Sequence, residues 1–228
     1  MQQLVHYITN KTYKPLLVRY LSKTRPYTCK GIRLQVPPDV FHPGFFFSTK
    51  LLLRYISGIE LAGKKLLELG AGSGLLSIYA AKKGAQVTAV DISQAALSSL
   101  RQNALANAVH LDIIHSDLFS SIKEKSFDLI LINPPYYKKN PLTEADHAWY
   151  CGEHGEYFEK LFQNLNQYYM DHAQPDTEIV MVLSEACDIT LIVEKAGRYE
   201  FALESFFSKK NIFEWNYLFR VTYKQSIV

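Results

Sequence analysis

From residue 64 onward the chain alternates short, mostly apolar runs with longer stretches whose apolar residues recur every three or four positions. KKLLEL, QVTAVDI, LDIIHSD, FDLILI and TEIVMVLS are of the first kind and read as buried strands. GLLSIYAAKKG, QAALSSLRQNALANA, GEYFEKLFQNLNQYYMDHA and DITLIVEKAG are of the second kind and read as helices, the first ending at Gly84. Strict alternation of the two predicts a parallel sheet with helices on both faces, because each crossover must return the chain to the same edge. YEFALESFF and IFEWNYLFRVTY follow each other across the short polar SKKN, which predicts an antiparallel hairpin at the end. The fold class is α/β, with a mostly parallel seven-stranded sheet. In the last strand Trp215, Tyr217, Phe219, Val221 and Tyr223 share one face by period two, the pattern of a sheet core.

Upstream the periodicity is weaker. GIRLQV alternates like a short strand, VPPDVFHPG is a proline-rich link, and FFFSTKLLLRYISGI reads as a helix capped by Ser48 or Thr49. This divides the chain into a basic extension with a short hairpin, residues 1–40, and a main domain, residues 41–228. The extension carries Lys11, Lys14, Arg19, Lys23, Arg25, Lys30 and Arg33 before the first acid, Asp39, with Tyr13, Tyr20 and Tyr27 between them. Two readings stand for it, a docking surface for phosphate or an acidic protein face and a solvated edge.

Composition narrows the classes. With 228 residues, 48% hydrophobic and 21% charged, the chain suits one large globular domain. No apolar run approaches a membrane span, the N-terminus lacks the core of a secretory signal, and a cytoplasmic location is expected. Cys29, Cys151 and Cys187 are an odd, widely spaced set, read as reduced thiols. His110 and His115 bracket the third strand, while His147 and His154 flank Cys151 without an evident fourth ligand, so no metal site is expected.

The candidate chemistry sits at strand ends. LLELGAGSGLLSIYAA places Gly70, Ala71, Gly72 and Gly74 between the first core strand and its helix, where glycine permits a tight turn and close approach of a ligand. Glu68 stands beside that turn. Asp91 closes the next strand, where a carboxylate can accept hydrogen bonds from both hydroxyls of a ribose. A dehydrogenase would use a similar turn, but its usual spacing is G-x-G-x-x-G, and here it is G-x-G-x-G after an acid. That pattern resembles the first motif of S-adenosylmethionine-dependent methyltransferases of the Rossmann-like class. The resemblance implies this cofactor, an acid facing its cationic methionine end, and Asp117 in HSDLF meeting the adenine amino group. Ile92 and Leu118, each following one of these acids, would line the adenine faces.

FDLILI runs into NPPY, residues 133–136, and two prolines cannot continue a central strand. The corner resembles that of amino-methyltransferases which methylate a nitrogen on a planar group. In that resemblance Asn133 and the Pro134 carbonyl accept the substrate N–H groups, Tyr136 stacks on the planar group, and Asn133 also borders the cofactor. The chain is most similar to the HemK/PrmC family of glutamine-N5 methyltransferases acting on release factors, over about residues 20–185. VRYLSKTRPYTCKGIRLQVPPDVFHPG, Asn103-Ala104, Asp117-Leu118-Phe119 and the glycines of WYCGEHGEYFEKLF, Gly152 and Gly155, carry the likeness. Two departures stand against it: no room for that family's N-terminal helical domain, and HPGFFFSTK in place of its usual proline–arginine–acid lead-in. The implied acceptor is an exposed glutamine of a release-factor or ribosomal-type protein, with an exocyclic amine of structured RNA (adenine N6 or guanine N2) as the alternative. A small activating partner is compatible with either. Acceptor recognition is expected in the N-terminal segment and in residues 137–153. A nucleotide-dependent oxidoreductase and a non-catalytic cofactor-binding module are the rival classes.

Overall fold

The computed structural model describes residues 20–122, 126–172, 176–212 and 214–224. Lys11, Tyr13, Lys14 and Arg19 of the basic segment lie outside the described residues. The first described elements are β1 (Arg25–Cys29) and β2 (Ile32–Val36), an antiparallel pair turned by Lys30 and Gly31. Both turn residues have positive φ, 47° and 76°, the backbone a two-residue hairpin demands. β2 alternates buried and exposed, and Ile32, Leu34 and Val36 enter the main core.

Helix α1 (Phe47–Ile56) follows, then β3 (Lys65–Leu69), α2 (Leu75–Lys82), β4 (Gln86–Asp91), α3 (Gln94–Ala106), β5 (Asp112–His115) and β6 (Leu129–Ile132). After a short turn of 3₁₀ helix, Glu144–Ala148, come α4 (Glu156–His172), β7 (Glu178–Ser184), α5 (Ile189–Arg198), β8 (Phe201–Lys210) and β9 (Trp215–Tyr223). The seven-stranded sheet has the order β5-β4-β3-β6-β7-β9-β8. β3 to β7 are parallel, and β9 enters antiparallel to both β7 and β8. Seven strands and the closing hairpin agree with the sequence pattern.

Successive strand residues feed opposite faces, as the pleat requires. Leu66, Leu129, Leu131, Val180 and Val182 pack under α1, α2, α3 and the β2 hairpin. Leu67, Leu69, Ile130, Ile132, Met181 and Leu183 pack under α4 and α5. Burial on both faces explains why these strands are apolar runs rather than alternating ones. Two asparagines of α3 tie the small hairpin down. Asn103 and Asn107 exchange hydrogen bonds with the backbones of Gln35 and Arg33 on the unpaired side of β2. Asn103 also donates to the Ser73 carbonyl, so the hairpin and the glycine turn share one anchor.

Three local expectations are corrected. Neither Ser48 nor Thr49 caps α1. The N-cap is Phe46, which supplies no side-chain bond, and both hydroxyls lie buried in the first turn. β5 covers only Asp112–His115, because Ser116 to Leu118 turn away, with Leu118 at φ 54°. In β9, Phe219 and Val221 are buried as expected, but Trp215 is 40% exposed where the hairpin outruns its neighbours.

Candidate active site

The C-terminal ends of the parallel strands open into one cleft, the place where open α/β sheets bind ligands. Glu68, Gly70, Ala71, Gly72, Asp91, Ile92, Asp117, Leu118, Asn133, Pro134 and Tyr136 all line it. Gly74 does not. A Cβ there would stand 2.1 Å from Leu100 Cδ1, and φ is +89°, so this glycine serves the seat of α2 against α3.

The glycine turn is held from β4. Gly70 and Ala71 both donate to the Val90 carbonyl at 2.9 Å, and Gly72 donates to Asp91 Oδ2 at 2.9 Å. The other oxygen of Asp91 accepts the Ser93 amide at 2.9 Å, at the start of α3. Two backbone donors thus orient one carboxylate into the cleft. Burial still raises its pKa, the dominant influence over the hydrogen bonds that oppose it. Glu68 lies deeper. Ser77 donates to its Oε2 through both the amide, at 2.8 Å, and the hydroxyl. Burial lifts this carboxyl to about 8, against the Ser77 hydrogen bonds and with help from the nearby Asp91 charge.

Open space stands beside the turn. A Cβ on Gly70 would meet nothing within 4 Å, and one on Gly72 only Val40 at 4.0 Å. An oriented carboxylate, bare glycine backbone and unfilled space fit the ribose and methionine portions of a nucleoside cofactor. Asp117 sits at the outer rim, paired with Lys160 of α4. Leu118 beside it is buried with positive φ, and the Ser116 hydroxyl donates to its carbonyl at 2.7 Å. A leucine in the left-handed region is strained, and the strain lies at a cleft wall.

Across the cleft, β6 ends in the proline corner. The Asn133 amide nitrogen donates to Thr49 Oγ1 at 3.3 Å, so the nitrogen end of that amide is engaged by α1. Burial raises the Tyr136 hydroxyl pKa well above its ordinary value, and the ring packs beside Tyr137 with centroids 4.9 Å apart. The segment beyond folds back over the cleft. Tyr137 exchanges backbone hydrogen bonds with Trp149 and Cys151, and Glu144 accepts the Gln94 amide at 2.6 Å. This brings Glu144, His147, Ala148 and Trp149 to the cleft. Lys138 pairs with Asp188 at 2.5 Å on the surface.

Several lining residues escaped the sequence reading. Phe41 and Trp149 face the cleft and close a trio with Phe46, ring centroids 4.4 to 5.2 Å apart. Asp39, Thr49 and Tyr157 also line it. No periodicity marks such residues; their meeting depends on where the crossovers leave each loop. The one signal within reach was that the phenylalanine run 45–47 and the 137–153 segment flank the same sheet edge.

The sheet order, the oriented acid at the glycine turn and the asparagine–proline corner define the class, a Rossmann-like, S-adenosylmethionine-dependent methyltransferase domain. The chain belongs to the methyltransferase small domain family, whose model matches residues 32–149. A protein of Methanocaldococcus jannaschii, provisionally named a protein N5-glutamine methyltransferase, is 41% identical over 108 residues, 47% of this chain and 52% of that protein. The ribosomal RNA small subunit methyltransferase C of Hamiltonella defensa is 35% identical over 119 residues, 51% of this chain and 35% of that protein. The chain thus spans about half or less of the length of these curated relatives. Among solved structures, the E. cuniculi Mtq2-Trm112 complex, described as responsible for methylating the translation termination factor eRF1, aligns with a TM-score of 0.61. That alignment, at 19% identity, covers 82% of this chain and 99% of the other and is a likeness of fold. No helix among the described residues is long and apolar enough to cross a membrane.

Proposed function

We propose that this protein methylates the side-chain amide nitrogen of a glutamine in a protein substrate. The observation that carries the reading is the Asn133 corner. With Nδ2 bound to Thr49, the end of the amide left for a substrate is Oδ1, an acceptor, next to the rigid Pro134 carbonyl. S-adenosylmethionine, when bound, supplies an electrophilic methyl group on a sulfonium. Asp91 would hold its ribose hydroxyls, Gly70 to Gly72 and Glu68 its methionine end, and Ile92, Asp117 and Leu118 its adenine.

The chain's own residues answer a specific difficulty. An amide nitrogen delocalises its lone pair into the carbonyl and is a poor nucleophile. Two acceptors, Asn133 Oδ1 and the Pro134 carbonyl, favour the pyramidal nitrogen because its N–H groups become more acidic as positive charge develops. The prolines fix those acceptors before the reaction, so little reorganisation accompanies it. Tyr136 presents a ring against the planar group and aligns it. The amide nitrogen would take the methyl group as the methyl's bond to sulfur breaks, leaving a neutral thioether; the surplus proton would then pass from that nitrogen to water, and no strong base is needed beforehand.

The 41% identity to the M. jannaschii protein supports glutamine as the acceptor. A second reading, an exocyclic amine of RNA, is favoured by the aromatic trio Phe41, Phe46 and Trp149 at the cleft and by the 35% identity to the ribosomal RNA enzyme. The corner serves both, since each substrate offers a planar N–H pair. A small activating partner remains part of the proposal. The direct test of the corner is Asn133→Ala. S-adenosylmethionine should bind within about threefold of wild type while transfer drops by about 10²-fold or more. Undiminished transfer would remove the corner from the mechanism.

A further inference from the structure

We propose that Thr49 is the positioning residue of the acceptor corner, its hydroxyl holding the Asn133 amide with the oxygen end turned to the substrate. The inference rests on the reading of Asn133 as an acceptor of substrate N–H groups and deepens it. A primary amide has two ends of nearly equal shape and opposite hydrogen-bonding sense. Only the oxygen end can receive an N–H. If the amide turned over, its NH₂ would face the substrate's own N–H groups, donor against donor, and one of the two acceptors of the corner would be lost.

Thr49 is the side chain that tethers the amide in the productive state. Its Oγ1 accepts from Asn133 Nδ2 at 3.3 Å, the one side-chain hydrogen bond of Asn133 that the described residues show. It is buried and lines the cleft. In this arrangement the hydroxyl accepts from the nitrogen end, and Oδ1 is left to receive a substrate N–H. The tether also restrains rotation of the amide plane, which otherwise has a broad torsional minimum.

The placement of the hydroxyl follows from the way α1 begins. Threonine in a first turn commonly caps its own helix, but the cap position here is Phe46, and Thr49 lies two residues inside the helix start at Phe47. Its hydroxyl is therefore not spent on the helix. The neighbouring Ser48 hydroxyl is also buried yet has no hydrogen-bond partner among the described residues, whereas the Thr49 hydroxyl meets Asn133 at the end of β6. Asn133 and Thr49 are 84 positions apart in the chain and meet because α1 packs against α2, β7 and β9 with its first turn at the cleft.

The test uses the full chain, tritiated S-adenosylmethionine and the protein fraction of an extract from cells lacking this gene. Thr49→Val keeps the volume and removes the hydroxyl; Thr49→Ser keeps the hydroxyl. At saturating cofactor, Thr49→Val should transfer about tenfold more slowly, while Thr49→Ser stays within about twofold of wild type. Cofactor affinity by calorimetry should be unchanged in both. The double variant Thr49→Val, Asn133→Ala should be no slower than Asn133→Ala alone, because the two side chains act as one unit. A wild-type rate for Thr49→Val, a serine variant as slow as the valine one, or a further tenfold loss on top of Asn133→Ala would each overturn the assignment. A rapid Asn133→Ala would instead bring down the corner reading, and this inference with it. Where Thr49→Val also lowers the melting temperature, Thr49→Ser against Thr49→Ala makes the same comparison.

Discussion

Glu68 gives the most quantitative prediction. Its carboxyl is 5% exposed, and burial lifts its pKa from an ordinary 4.5 to about 8. Between those two values the folded chain keeps a proton that the unfolded chain has lost. The contribution of Glu68 to folding is therefore largest where both states are protonated, below about pH 4.5, and declines as pH rises toward 8. Each unit corresponds to about 1.4 kcal/mol, so from about pH 5 to about pH 7.5 the wild type should lose roughly 3 kcal/mol through this group. Glu68→Gln mimics the protonated form. Its carbonyl oxygen can accept both Ser77 donors, and its NH₂ stands where the acid proton would be. The variant should match wild type within about 1 kcal/mol near pH 5 and exceed it by roughly 3 kcal/mol near pH 7.5. Urea denaturation of both proteins across that interval gives the difference directly, and contributions of all other groups cancel. Parallel curves, or a gap that opens toward low pH, would refute the assignment of a neutral buried Glu68. The same reasoning ties Glu68 to the cofactor. A cationic methionine end beside it would expel the proton, so S-adenosylmethionine should bind more tightly as pH rises from 6 to 8, and Glu68→Gln should flatten that dependence.

Other consequences follow from single contacts. Gly74→Ala combines a left-handed φ with a collision against Leu100, and should destabilise by about 3 kcal/mol, a fall of roughly 6–12 °C in melting temperature by scanning calorimetry. Asp91→Asn replaces one of two oxygens that receive backbone donors, and titration calorimetry should show S-adenosylmethionine binding weakened about tenfold or more. Asn103→Ala frees the Ser73 carbonyl and the edge of β2 together, so hydrogen exchange should quicken in both the glycine turn and the hairpin, with a loss of about 2 kcal/mol.

The architecture was legible because burial on both sheet faces writes strands as apolar runs, and helices with one buried face recur at 3.6. Leu66 and Leu67 illustrate it, adjacent in sequence and feeding opposite cores. The glycine turn and the proline corner were legible for a different reason. The glycines mark positive φ that ordinary residues rarely adopt, the prolines lack the N–H a strand ladder needs, and both fall where a strand must stop. What stayed hidden depends on tertiary placement. Ser48 and Thr49 carry the local signature of a cap, yet the cap falls two or three residues earlier, where Phe46 packs on Trp149 and Phe47 on the main core. Gly74 follows the cofactor motif in sequence but answers to Leu100 in space. Trp215 keeps the period of its strand but is its first residue, one past the end of the ladder with β7. In each case local pattern names the residue, and a partner distant in sequence settles its role.

Methylation of a glutamine amide at the Asn133 corner can be read from the chemistry of its product. Tritiated S-adenosylmethionine and the purified protein would be incubated with an extract from cells lacking this gene, and the labelled product split between protease, ribonuclease and acid hydrolysis. Methylation of a glutamine amide predicts label that survives ribonuclease, is lost with protease, and is released by hydrolysis as volatile methylamine, with transfer by Asn133→Ala reduced about 10²-fold or more. Label lost with ribonuclease and retained through protease would contradict it and assign the corner to an RNA base amine.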